Sequence, residues 1–297
     1  AMTSGDFSDT AQVFRYDPPM VVTGVMPSIG TRFGGTHVTV SGENFMNFAN
    51  LRCRFTHRVG SVTSAARWLS STLVACKFPG HAGSESGESA VAISANAVDY
   101  TPSNVIFVSS SPPVVTGLHP TVGGADGGSI VQVQGEHFME NSELSCMFGS
   151  ARVTAKFVSD TQIECISPTA SPADVLLDVT NNGQEFSTSG VHYLFTPQPK
   201  VFELSPSTGP MVGASLINVT GFHLVNWEPF NPTLKCKFGD TVTNGSFVSS
   251  TFMHCATPPS TEGSVFLEIT VNGVDYTSNF VPFQALPLCQ TIQPRCS

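Results

Sequence analysis

The side chains in this sequence whose type and spacing point most directly to chemistry are its eight cysteines. They fall in pairs: Cys53 with Cys76, Cys146 with Cys165, Cys236 with Cys255, and Cys289 with Cys296. The second and third pairs are each 19 residues apart, and the first is 23 apart. An even count at recurring spacing implies disulfide bonds formed in an oxidising compartment. Closing a loop of about twenty residues stabilises a fold by roughly 3 kcal/mol in the chain-entropy account. Zinc is the competing use of paired thiols. It needs CxxC-like spacing or four clustered ligands, and each of these three pairs offers two cysteines far apart along the chain.

Other candidate chemistry is thinner. The eight histidines are scattered. His137 and His223 follow a Gly-x pair, in the place that Asn44 holds earlier in the chain, and a place filled three times reads as a structural turn. No Gly-x-Ser-x-Gly elbow with His and Asp partners is present, so no catalytic residue is assigned. Asp99, Glu185 and Asp275 occupy equivalent hairpin positions, each before an aromatic. A calcium loop would want several oxygens converging, as in an Asp-x-Asp run. These carboxylates read as solvated strand residues, and neither a metal nor a cofactor is expected. Two sequons could carry N-linked glycans: Asn218-Val219-Thr220 and Asn244-Gly245-Ser246, while Pro232 disqualifies Asn231. Asn218 reads as an outward strand position and Asn244 as part of a turn. Trp227 and Phe230 sit in a short insertion and are the candidate binding aromatics, because exposed aromatics on loops favour recognition.

The elements that must position these groups come from an internal repeat. Pro27 to Gly42, Pro120 to Gly135 and Pro206 to Gly221 are each 15 residues apart. Gly42 to Cys53 and Gly135 to Cys146 are each 11, and Gly221 to Cys236 is 15, which locates the insertion around Trp227. Such periodicity marks a tandem array. The expected division is 1–17, a closing strand of a preceding repeat or a tail; 18–111, 112–196 and 197–286, three repeats; and 287–297, the start of a following segment. Cys289 and Cys296 either pair with each other there or serve a fourth repeat. Phe7 to Pro18 resembles Phe186 to Pro197, which supports the stray closing strand. The opening Ala1-Met2 reads as a cloning remnant and the chain as a piece of a longer protein.

Within each repeat the patterning is that of short strands. Val38 and Val40, Val131 and Val133, and Ile217 and Val219 alternate with Thr39, Gln132 and Asn218, a half-buried strand. Gly42, Gly135 and Gly221 end it, at an expected turn of positive φ. Cys53-x-Phe55, Cys146-x-Phe148 and Cys236-x-Phe238 put cysteine and ring on one face. Asn182-Gly183 and Asn272-Gly273 predict two-residue hairpin turns, followed by closing strands from Tyr100, Phe186 and Tyr276. Seven strands per unit and no amphipathic helix give an all-β chain of three tandem sandwiches.

Composition sets the outer bounds. Only 12% of the 297 residues are charged, with a net charge of −9 and a pI near 5.2. Nucleic acid demands clustered Lys and Arg, so it is not an expected partner. No run of eighteen apolar residues occurs, so no membrane-spanning helix is expected in this stretch.

At Pro120, the Gly127-Gly128 turn, Gly135-Glu-His-Phe138, Cys146-x-Phe-Gly149 and Cys165-x-x-Pro168 the chain resembles the IPT/TIG domain family. Gly42-Glu-Asn-Phe45 matches the family's Gly-x-Asn-Phe more closely, and Gly221-Phe-His-Leu224 departs from it. The resemblance covers about 270 residues. It implies immunoglobulin-like (IPT/TIG, E-set) sandwiches whose disulfide joins the third strand to the later Pro-ended strand. An antibody-type domain would instead bridge its two sheets beside a buried Trp. The family includes plexins, Met-type receptors, fibrocystin-like surface proteins and Rel-type DNA-binding factors. The paired cysteines look like the extracellular branch.

The expected function is therefore a non-catalytic extracellular stalk, adhesion or protein-binding module of a cell-surface or secreted multi-repeat protein. Short Pro-rich linkers, Ser109 to Pro113 and Thr196 to Pro199, suggest stiff connections. The expected partner is another extracellular protein or a second copy of the chain, with glycans as a further class. A carbohydrate-binding accessory module, which would need a row of exposed aromatics on one sheet face, and a structural repeat of an extracellular filament are the alternatives.

Overall fold

The computed structural model describes residues 17–81, 83, 86–225, 234–261 and 263–287. Ala1–Ser111 forms one compact unit and Pro112–Ser297 a second. The first unit holds one sandwich, built from β1 (Val21–Met26), β2 (Ile29–Thr31), β3 (His37–Glu43), β4 (Arg52–His57), β5 (Gly60–Ser70), β6 (Leu73–Lys77), β7 (Gly87–Ser94) and β8 (Ile106–Ser110). The second unit repeats the plan twice. Its first copy runs through β9 (Val114–His119), β10 (Val122–Gly124), β11 (Ile130–Glu136), β12 (Ser145–Phe148), β13 (Ala151–Ser159), β14 (Gln162–Ile166), β15 (Ala173–Thr180) and β16 (His192–Thr196). Its second copy runs through β17 (Lys200–Ser205), β18 (Thr208–Pro210), β19 (Leu216–Phe222), β20 (Lys235–Phe238), β21 (Thr241–Ser249), β22 (Phe252–Ala256), β23 (Gly263–Thr270) and β24 (Val281–Leu286). Among the described residues no helix is long and apolar enough to cross a membrane.

Each sandwich has eight strands rather than seven, because the opening strand divides. In the first sandwich β1 lies antiparallel on β3, and β2 lies parallel on β8. A cis peptide bond precedes Pro27, Pro120 and Pro206 at that division. The strand order β1-β3-β6-β5-β4-β7-β8-β2 closes two faces on each other through β5. Residues 60–65 of β5 pair with β4, and residues 66–70 pair with β6. One strand thus serves both faces.

Alternating apolar residues fill the space between the faces. Val38, Val40, Phe55, Val74, Val91, Ile93 and Phe107 make the first core, and Val131, Val133, Phe148, Ile163, Leu177, Val179 and Tyr193 the second. Phe45, Phe138 and Leu224 close the same end of each core.

Three local expectations are corrected. Gly42, Gly135 and Gly221 do not take positive φ. The left-handed residues are Asn44, His137 and His223, two positions on, at φ 58°, 63° and 56°. The glycines are instead sites of close approach, where a Cβ would lie 1.9–2.2 Å from a carbonyl oxygen of the first strand. The Asn-Gly segments are not two-residue hairpins either. Asn182 and Asn272 accept backbone N–H groups inside broader turns, from Gln184 and Glu185 in one copy and from Val274 and Asp275 in the other. The closing strands therefore begin later, at Ile106, His192 and Val281. The Gly34, Gly127 and Gly213 turns do need glycine, for their φ of 83°, 74° and 72° and for backbone packed against Pro79, Pro168 and Pro258.

Candidate binding surfaces

A disulfide lies at the fork of each sandwich: Cys53–Cys76, Cys146–Cys165 and Cys236–Cys255. In the second copy Cys146 on β12 faces Val153, and Cys165 on β14 faces Ala155, both on β13. Strands two apart in a flat sheet stand roughly 9.5 Å apart. Here the two Cα atoms are 6.3 Å apart, so the chain has folded over between them. The bridge therefore crosses from one face of the sandwich to the other, contrary to the contrast with antibody domains drawn from the sequence. It does so between the fourth strand of the copy, β12, which the division of the opening strand moves from the expected third place, and the Pro-ended strand β14, with no Trp beside it. Small residues make room on the strand between: Ala66, Ala155 and Gly245 each face the second cysteine of their copy.

That packing explains Asn244-Gly245. Asn244 lies within β21 opposite Lys235, exposed, and not in a turn. A Cβ on Gly245 would lie 2.5 Å from the Met253 methyl and 3.3 Å from Cys236 Sγ. The Gly is there for space, which the dipeptide alone did not reveal. Asn218 lies mid-strand in β19, half-buried, between Ser205 on β17 and His254 on β22. Trp227, Phe230, Cys289 and Cys296 fall outside the described residues, as does the 1–17 segment up to residue 16.

The second and third sandwiches meet through a polar clamp that the sequence did not expose. The Asn272 side chain is 6% exposed. Its Oδ1 accepts the N–H groups of Val274 and Asp275, at 3.1 and 2.9 Å. Its Nδ2 donates to Asp275 Oδ2 at 2.7 Å and, across the junction, to the Val122 carbonyl at 2.9 Å. Ser129 Oγ donates to the same Asp275 oxygen at 2.6 Å. Asp275 is therefore a junction residue and not a solvated strand residue. Linker residue Gln198 adds a carbonyl that meets His223 Nδ1 at 3.0 Å. The crevice left among Val122, Gly124, Gln198, Asn272 and Tyr276 has about 10 Å³ of free volume, room for one water at most. Burial, first, and then the Asp275 charge hold the neighbouring Tyr193 phenol above its ordinary pKa, against the opposing pull of Ser129 and Ser167. The Asn-x-x-Asp/Glu spacing signals the turn that holds the pair, not the contact it makes across the junction. Asn96 donates to Asp99 and Asn182 to Glu185 in the corresponding turns.

The third sandwich also carries aromatics on an outer face. Phe202 and Phe222 are 51% and 53% exposed, with ring centroids 4.7 Å apart and edge to face. Phe252 and His254 pack 5.2 Å apart on the neighbouring strand of that face. Stacking the three copies by register would have found them.

The first sandwich has a pair of its own. His57 and His81 are each 6% exposed, with ring centroids 5.0 Å apart. His81 Nε2 meets Ser89 Oγ at 2.8 Å. Burial, then the His57 charge, lowers the His81 pKa below its usual 6.5. A histidine whose folded pKa is depressed gives its full stability above the unfolded pKa, and that stability is lost as pH falls below it. Amide exchange in β4 and β7 is thus expected to accelerate as pH drops from 7.5 to 5.5, after correction for the intrinsic rate. His81→Ala should flatten that dependence, and an unchanged slope in the variant would rule the pair out as its source.

The IPT/TIG domain family profile matches residues 20–108, 113–195 and 199–285. Plexin A3 of Danio rerio is 26% identical over 252 residues, 80% of this chain and 13% of that protein. Human fibrocystin-L is 24% identical over 168 residues, 56% of this chain and 4% of that protein. The chain thus spans a small fraction of these relatives. The full extracellular region of plexin A4 superposes with a TM-score of 0.47 at 18% identity, covering 88% of this chain and 24% of that one. The buried disulfides, together with the sequence similarity to plexin and fibrocystin-L, mark an extracellular chain. Three consecutive matches across an all-β chain mean that the protein belongs to the IPT/TIG domain family.

Proposed function

We propose that the chain is a non-catalytic extracellular spacer and protein-binding module, a stalk or adhesion element of a multi-repeat surface or secreted protein. The clamp of Asn272 and Asp275 on Val122 and Ser129 carries this reading. Domains joined only by a short linker move relative to each other by default. A charge-assisted hydrogen bond contributes roughly 1.5–3 kcal/mol, enough to hold two sandwiches in one arrangement. Fixed spacing between repeats serves presentation of a binding surface, not turnover of a substrate. The partner in this reading is another extracellular protein or a second copy of the chain. Trp227 and Phe230 remain the loop aromatics proposed for such a contact, and Asn244 an exposed glycan acceptor.

The test is NMR relaxation on the intact chain. The second and third sandwiches are expected to share one rotational correlation time, and Asp275→Ala should split it into two while each core stays folded. Independent tumbling in the unmodified chain would remove the basis for the spacer role.

A further inference from the structure

The same strand positions can be compared across three copies of one fold. On the outer face formed by the first, third and sixth strands, the first sandwich carries Thr23, Glu43, Leu73 and Ala75. The second carries Thr116, Glu136, Gln162 and Glu164. The third carries Phe202, Phe222, Phe252 and His254. Four positions on one face have become aromatic in this copy alone. Phe202 and Phe222 are exposed and Phe252 and His254 half-buried; uncovered rings on a sheet face cost solubility, so their concentration in one copy asks for an occupant.

The occupant is named by a fifth position on that face. Where the first two copies have Thr39 and Gln132, the third has Asn218, the acceptor of the sequon Asn218-Val219-Thr220. Side chains at alternate positions of a strand share a face, so Leu216, Asn218, Thr220 and Phe222 all point outward from β19. Asn218 stands directly opposite His254, and Thr220 directly opposite Phe252. Phe252 is therefore the diagonal neighbour of Asn218, within reach across the pair. Phe222 lies four residues along, roughly 13 Å away, and meets Phe202 at 4.7 Å. A track of rings starts beside the acceptor and runs to the sheet edge. The hydrophobic C–H face of an N-acetylglucosamine ring stacks on an aromatic ring, and a chain of two such sugars rooted at Asn218 would travel along this track.

We propose that Asn218 carries an N-linked glycan whose first sugars lie on the Phe252, Phe222 and Phe202 face of the third sandwich. The glycan then covers the aromatic face and holds it soluble. The proposal does not rest on the spacer role. Its test reads the outer face of one sandwich, whereas the Asp275 test reads the junction.

The intact chain is secreted from eukaryotic cells, with site occupancy read by glycopeptide mass spectrometry and the melting of the third sandwich by calorimetry. The variants come from the sister copies, where each residue already sits in this fold: Asn218→Gln, and Phe222→Glu with Phe252→Gln. Asn218 is expected to be occupied. Its loss in Asn218→Gln should lower the melting temperature by about 4 °C, and by less than about 1 °C when the two Phe changes are also present. Asn244→Gln is the control and should give the same shift in both backgrounds. An unmodified Asn218 would overturn the proposal, as would an equal drop for Asn218→Gln with and without the rings. Retention of a free glycan by chain lacking sugar at Asn218, abolished by Phe252→Gln, would overturn it in favour of an external carbohydrate.

Discussion

Alanine at both Cys146 and Cys165 is expected to cost the second sandwich about 3 kcal/mol. The bridge closes a 19-residue separation, and the unfolded chain regains that loop freedom when it is removed. A second contribution adds to the first. Both sulfurs are covered, with the residues 0% and 1% exposed, and they fill the fork where β13 passes from one face to the other. Two methyl groups leave a void there, because Ala155 cannot expand into it, and an unfilled void destabilises further. The position matters as much as the loop length. The bridge fastens β12 to β14 across a strand that each of them pairs with only over part of its length. Amides of Cys146 to Phe148 and Gln162 to Ile166 should therefore lose protection first in hydrogen exchange, while the third sandwich keeps its own. Full protection of β12 and β14 in the double variant would mean that strand pairing alone holds the fork.

The repeat, the extracellular chemistry and the family were legible because they rest on residues with single uses. A Pro, a Gly and a Cys cannot be exchanged freely, so their spacing survives across copies whose other residues differ. Contacts between distant residues were not legible. Asn272 meets Val122 across 150 positions, and nothing in either neighbourhood announces the other. The divided opening strand was missed because β2, β10 and β18 have three residues each, too few for alternation to register. Asn244-Gly245 and Asn182-Gly183 show the limit of dipeptide signals. The same pair of residues serves a turn in one place and a crowded strand in another. Only packing, the sulfur of Cys236 over Gly245, separates the two. The aromatic face of the third sandwich was within reach of sequence reasoning. Comparison of outward positions, copy against copy, was the step needed.

Gly135→Ala is expected to destabilise the second sandwich by about 3 kcal/mol or more, although it adds one methyl group. Gly135 sits in β11 where β9 crosses closest. A Cβ would stand 2.0 Å from the Val114 carbonyl oxygen and 2.5 Å from the Phe138 ring. Neither neighbour yields easily. The carbonyl belongs to a paired strand, and Phe138 is 2% exposed, wedged into the end of the core. Overpacking a filled interior costs typically 1–3 kcal/mol through shifted backbone and rotamers, and here the first atom met is backbone. The same collision recurs at Gly42 against Val21 and at Gly221 against Lys200. Gly117→Ala is the matched control. It lies in β9 of the same sandwich, and its Cβ would come no nearer than 3.8 Å to a flexible Gln134 side chain. Chemical denaturation should therefore show a large loss for Gly135→Ala and a change within about 0.5 kcal/mol for Gly117→Ala. Equal, small effects would mean that β9 can lift from β11 at little cost. The glycines shared by the three copies would then owe their place to something other than this contact. A large loss confined to Gly135→Ala would make the crossing of the first and third strands a rigid point of the fold, one that tolerates no side chain in any copy.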